Sequence, residues 1–260
     1  MTAFTFGSTA LTSFGKVTLM ENYLSTPARR GENQFIPFRH GSIFVKKFYD
    51  ERVMVFGIAV TAASLTALEA VLDTMRQKFA PLTEQVLEAT MTDATVRQAN
   101  AIVNGALSAI PITDKFARVV VEFSLAKPFF RLNAAIADNT TIIDASPHAM
   151  TVTNPGTIEE RDPTIILTGP LTNPVITNST NGKTLTYTGI IAGGDTVTIS
   201  TNTTGEYIAV HSASGNVIGN VTHSGDTALM TFDVGANTLA ITSDVTTTGT
   251  VKVTFSAPFA

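Results

Sequence analysis

Cysteine is absent from the chain, and so is tryptophan. The first absence removes disulfides, thiolate metal sites and cysteine nucleophiles together, so the fold rests on burial and hydrogen bonds alone. The second weakens any reading as a sugar binder, because pyranose rings usually pack on a flat aromatic face, most often tryptophan. Charge is also scarce. Only 15% of the 260 residues are charged and the formal net charge is −4, which leaves no basic surface for nucleic-acid phosphates or anionic lipid. No segment reaches the run of about 18 apolar residues that spans a bilayer. The start, MTAFTFGSTALTSFG, lacks a basic stretch followed by an unbroken apolar one, so a soluble chain made in the cytoplasm is expected.

What is present is β-forming sequence divided in two. Residues 1–150 carry 14 Lys and Arg against 13 Asp and Glu, whereas residues 151–260 carry 3 against 8. Between them, SPHAMTVTNPGTIEERDP is punctuated by Pro147, Pro155, Gly156 and Pro163, and the spacing places a linker at about 148–163. The expected domains are therefore 1–150 and 151–260.

The second domain alternates apolar with Thr or Lys. Leu185 and Tyr187, Val197 and Ile199, Leu239 and Ile241, and Val251, Val253 and Phe255 each mark one buried strand face. Asn181-Gly182, Gly193-Gly194-Asp195, Gly235-Ala236-Asn237 and Thr248-Gly249 are the expected turns. About eight short strands without a helical pattern predict a jelly-roll or galectin-like β-sandwich. The first domain is mixed, a β-sandwich-like body with one helix. Strands are expected at Gly41–Phe48, Arg52–Val60 and Phe116–Leu125. Thr66 and Glu69 form a capping box ahead of Leu68, Val71, Leu72, Met75 and Phe79 at helical spacing, which Pro81 ends. The stretch 83–110 reads equally as helix or as a hairpin turning at Asn104-Gly105.

Catalytic chemistry finds little support. His40, His148, His211 and His223 have no metal-ligand spacing, although His211 and His223 could meet across a hairpin. No G-x-S-x-G elbow and no phosphate-binding loop occurs. Glu159-Glu160-Arg161-Asp162 reads as a solvated charge run, not a carboxylate pair. Tyr187 and Tyr207 are the aromatic residues from which a lectin-like site would be built. The N-x-[ST] triplets at Asn139, Asn178, Asn202 and Asn220 are ordinary composition in a chain without a signal peptide. Catalytic, metal and cofactor residues are expected to be none.

Taken in order, these elements resemble the distal tail (Dit) proteins of phages with long non-contractile tails. The resemblance is carried by FTFGSTALTSFG, FRHGSIFVKKFYDERVMVFGIAV, the helix SLTALEAVLDTMRQKF and FARVVVEFSLAKPFFR in the first half. In the second half it is carried by NPGTIEERDPTIILTGPLTNPVITNSTNGKTLTYTGIIAGGDTVTIS, VGANTLAI and VKVTFSAPF. The stretch 83–110 is more alanine-rich and less aromatic than the family's pattern, and 110 residues leave no room for an inserted carbohydrate-binding module.

The resemblance implies a tail-tube-like first domain and a non-enzymatic virion protein at the phage tail tip, synthesised in the bacterial host. It implies a ring of six copies joining the tail tube protein to the tail hub or fibre protein and, through it, to a receptor-binding protein. Beside this, Gln34 to Lys47 holds Phe35, Ile36, Phe38, Ile43, Phe44 and Val45 with few charges, as suits either an intersubunit belt or the subunit's own core. A free-standing carbohydrate-binding adhesin and a tail tube subunit are the alternatives; membrane and sequence-specific nucleic-acid partners are not expected.

Overall fold

The computed structural model describes residues 3–23, 25–45, 47–136, 139–144, 146–225, 228–245 and 248–260. The chain divides into two compact units, Met1–Asn133 with Ala260, and Ala134–Phe259.

The first unit contains β1 (Ala3–Phe6), β2 (Thr9–Ala10), β3 (Lys16–Glu21), β4 (Arg29–Arg30), β5 (Gln34–Phe35), β6 (Ser42–Ile43), β7 (Phe48–Tyr49), β8 (Arg52–Thr61), α1 (Leu65–Phe79), β9 (Gln85–Thr90), β10 (Val96–Thr113), β11 (Phe116–Leu125) and β12 (Phe130–Leu132). The main strands pair antiparallel in the order β2-β1-β9-β10-β11-β8-β3. β10 serves both halves of this sheet, since Val96–Ala101 pair with β9 and the ladder with β11 begins at Ile102. The sheet then folds over on itself. Phe4 on β1 meets Phe56 on β8 at 4.9 Å between ring centroids, and Phe6 meets Phe123 on β11 at 4.8 Å. In a flat sheet β1 and β8 would lie about four strand spacings of ~4.8 Å apart. The result is the expected sandwich-like body with an aromatic core.

Helix α1 closes this core with Leu68, Leu72, Met75 and Phe79, all buried at helical spacing. Its start differs from the sequence expectation. Ser64, two residues ahead of Thr66, is the N-cap, and its hydroxyl accepts the Ala67 N–H at 3.2 Å. The ambiguous stretch 83–110 resolves as a hairpin of β9 and β10 that turns at Met91–Thr95, not at Asn104-Gly105. There the Met91 N–H donates to the Thr95 carbonyl at 2.8 Å, and the Asp93 carboxylate accepts the Thr95 N–H at 3.0 Å. Asn104-Gly105 instead opens a bulge, because the register jumps from Asn104↔Glu122 to Ser108↔Val120.

The second unit contains β13 (Asn139–Ile142), β14 (His148–Asn154), β15 (Thr164–Thr168), β16 (Leu171–Thr172), β17 (Val175–Asn178), β18 (Lys183–Tyr187), β19 (Ile190–Ile191), β20 (Thr196–Thr201), β21 (Tyr207–His211), β22 (Gly215–Asn216), β23 (Val221–His223), β24 (Gly235–Thr242) and β25 (Thr250–Thr254). One sheet runs β13-β25-β15-β20-β21-β22, the other β14-β24-β17-β18-β23, and both present their buried faces to a common core. Every apolar residue assigned above to a buried face of this domain is buried.

Two details correct the sequence reading and a third adds to it. The stretch 148–163 is not a free linker, for β14 pairs with β24 along its whole length. Gly235-Ala236-Asn237 begins β24 instead of making a turn, and the Asn237 amide accepts the Asp233 N–H at 3.0 Å and donates to the Asp233 carbonyl at 2.8 Å. Gly249 serves close packing as well, since a Cβ there would stand 2.6 Å from the Leu171 side chain.

Candidate assembly surface

Strands β4 to β7 do not join the main sheet of the first unit. Arg29 and Arg30 pair with Tyr49 and Phe48, and Gln34 and Phe35 pair with Ile43 and Ser42, so the chain makes an arm of two short ladders with its tip at Phe38. Among the described residues the expected strand at Gly41–Phe48 is replaced by two short paired pieces, Ser42–Ile43 and Phe48–Tyr49. Of the run from Gln34 to Lys47, Lys46 lies outside the described residues.

The apolar side chains of the arm face outward. Phe35 is 78% exposed, Phe38 106% and Phe44 86%, while Ile43 and Val45 are exposed and Ile36 is half-buried. None of the six belongs to the core of the unit, so the own-core reading of this segment is corrected. Phe38 holds a positive φ of 60°, a conformation uncommon for a bulky residue, at the point where the arm reverses. Water gives such side chains no stabilisation, and a cluster of exposed apolar residues on one segment is uncommon on a monomer.

The base of the arm is held by a residue that sequence pattern did not single out. Arg52, at the start of β8, is 4% exposed, and burial pushes its pKa down. Its Nε and Nη2 donate to the Asn22 carbonyl at 3.0 and 2.8 Å, and Nη2 also donates to the carbonyls of Tyr23 and Ser25 at 2.6 Å each. The guanidinium lies over the Phe130 ring at 5.8 Å. The only sequence sign of this role is an arginine heading an otherwise apolar strand.

Two sheet edges complete the surface. Among the described residues β3 pairs only with β8, and residues 102–113 of β10 pair only with β11. The second edge exposes Ile110 and Ile112 around Pro111, and a proline that offers no N–H is tolerated at an edge strand.

The residues weighed for chemistry are otherwise occupied. The Nδ1 atoms of His211 and His223 accept the N–H groups of Ala213 and Gly225, and the two histidines lie on different sheets. Glu160 is fully buried, which corrects the solvated reading. Its backbone bridges Phe232 and its Oε1 accepts the N–H groups of Arg161 and Asp162 at 3.0 and 2.7 Å. Tyr187 is buried in the core, and Tyr207 is half-buried, with burial and then Asp162 pushing its phenol pKa up. Neither offers an open platform for a sugar. Hydrogen bonds from Thr95, and from Asn202 and Thr204, hold the carboxyls of Asp93 and Glu206 below their ordinary values, as turn caps do. Among the described residues no three acidic or histidine side chains cluster to hold a metal, and no helix is long and apolar enough to cross a membrane.

The sequence matches no family model, and no curated protein is similar to it. Solved structures do match. The crystal structure of the SPP1 Dit (gp 19.1) protein, described as a paradigm of the hub adsorption apparatus in phages infecting Gram-positive bacteria, aligns over 98% of this chain and 99% of its own. The TM-score is 0.70 at 12% sequence identity. This chain has the Dit fold. Chains of the phage p2 baseplate in its activated conformation, with Sr and with Ca, align over 100% of both lengths at 8% identity. Their TM-scores of 0.47 and 0.48 are too low to add to the assignment. Because the Dit likeness spans both units, it covers the arm and the second sandwich alike.

Proposed function

We propose that this chain is a structural subunit of a phage tail tip, in which several copies close into a ring through the first unit. The ring would join the tail tube to the hub or fibre that carries receptor binding. The observation that carries the reading is the arm, where Phe35, Phe38, Ile43, Phe44 and Val45 stand in solvent on a segment anchored at its base by Arg52. A monomer gains nothing from such a segment, whereas a ring would bury it against a second copy. The open edges at β3 and β10 support the same reading, since one copy's edge can extend the next copy's sheet. Six copies is the stoichiometry that the Dit resemblance implies. The second sandwich distinguishes the chain from a repeating tube subunit, and it would suit attachment of a fibre or receptor-binding protein. The adhesin reading is weakened, since Tyr187, one of its two candidate residues, is buried.

The test is the mass of the purified full chain in solution, by light scattering after size exclusion, with negative-stain images of the same peak. Rings of uniform size are expected. A species that stays monomeric at high concentration would overturn the assembly reading and call for a glycan screen.

A further inference from the structure

The chain has two Asn-Gly pairs, Asn104-Gly105 and Asn181-Gly182. Both glycines have φ of +72°, yet the surroundings of the two pairs are opposite. At the second, the Asn181 amide donates to the Thr231 carbonyl at 3.0 Å and to its hydroxyl at 3.1 Å, while its Oδ1 accepts the Lys183 N–H at 3.1 Å. The backbone N–H of Gly182 donates to the Asn178 carbonyl at 2.8 Å. Side-chain amide and backbone nitrogen are both held. At the first, Asn104 and Gly105 are exposed and the ladder is broken between Asn104 and Ser108. The Asn104 amide has one bond, donated to the Glu122 carboxylate at 2.7 Å.

We propose that Asn104-Gly105 is a site of spontaneous deamidation in the folded protein and that Asn181-Gly182 is protected by the fold. The deprotonated backbone nitrogen of Gly105 attacks Asn104 Cγ. The new C–N bond closes a succinimide ring, and the bond from Cγ to the amide nitrogen breaks, so that nitrogen leaves as ammonia with the proton. One water then opens the ring to aspartate or isoaspartate. The net change is amide plus water to carboxylate plus ammonium, with no redox step. Glycine favours the attack because it has no side chain to shield its nitrogen, and the bulge leaves the local backbone freer than a regular ladder would. The product faces Glu122 directly across the strand pair, so a hydrogen bond is replaced by two like charges, which destabilises an antiparallel pair. The isoaspartate form also lengthens the β10 backbone by one carbon. The reaction needs no second copy of the chain. If the free edge of β10 is a ring contact, closure would slow it.

The experiment incubates the full chain, folded and in strong denaturant, at neutral and mildly alkaline pH, and follows the two peptides by mass spectrometry after digestion. In denaturant both pairs should convert at similar rates. In the folded chain Asn104 should convert several-fold faster than Asn181, and faster as pH rises. Asn104→Gln should abolish the reaction at that site, and Asn104→Asp should lower the melting temperature below that of Asn104→Gln. Equal conversion at the two sites in the folded chain, or conversion at Asn181 first, would overturn the proposal.

Discussion

Single residues hold the arm to its unit, and Arg52 shows how. Its guanidinium is buried and, among the described residues, has no carboxylate partner; backbone carbonyls of residues 22, 23 and 25 take its donors instead. A planar fork of five N–H groups can serve several carbonyls at once, which an ammonium on a flexible stem cannot do with the same geometry. Replacing Arg52 with Met keeps an apolar stem but leaves three carbonyls short of a partner. Hydrogen bonds to a charged group contribute about 1.5–3 kcal/mol each and are not additive, so a loss of about 2–3 kcal/mol is expected for Arg52→Met, with Arg52→Lys in between. Denaturant unfolding reads this directly; an unchanged midpoint for Arg52→Met would show that the carbonyls find water and that the residue is not a clasp. The same scale explains what sequence reading could not see. Asn178 looks like part of an N-x-[ST] triplet, but its amide donates to the Thr231 carbonyl at 2.9 Å and to Asn237 Oδ1 at 3.1 Å across the second core. Such partners lie more than fifty positions away, and local pattern carries no trace of them.

Elements were legible where one face is buried. Alternation located β11 at Phe116–Leu125 and the strands of the second sandwich, because each buried residue on one side leaves its neighbour wet on the other. Helix α1 was legible from its apolar spacing, while its cap was not, because Ser64 and Thr66 are both competent capping residues and packing chose between them. The arm defeated the method for the opposite reason. Phe, Ile and Val in series read as a strand whatever covers them, yet here nothing in the subunit does. On the proposed reading these apolar residues, without an internal partner, would find an external one. Phe35→Ser with Phe38→Ser should therefore leave the monomer's fold and melting temperature unchanged while reducing assembly to smaller species. Burying a Phe side chain contributes about 1.5–3 kcal/mol, so losing two at every joint is enough to open a ring. Loss of the circular-dichroism signal in this variant would return the two residues to a core role, and intact rings would remove them from the interface.

The whole molecule is two cores on one chain with opposite charge. All members of the first core fall between Phe4 and Phe130, and all members of the second between Ile136 and Phe255. Residues 1–133 carry 14 Lys and Arg against 11 Asp and Glu, a net of +3, whereas residues 134–260 carry 3 against 10, a net of −7. Charge of this size keeps a protein soluble and resists self-association, so six copies of the second unit would repel one another at any close contact. The first unit has the opposite properties for assembly: modest charge, an exposed aromatic arm and two open edges. On the proposed reading the first unit would close the ring and the second would be kept apart by its charge. Expressed separately, residues 134–260 should fold, melt cooperatively and stay monomeric, while residues 1–133 should fold and still form rings of the same symmetry as the full chain. Raising the salt should leave the rings of 1–133 intact, because the arm is apolar. Rings that require the second unit, or oligomers of 134–260 alone, would place the joint in the sandwich and leave the arm to bind something other than a copy of this chain.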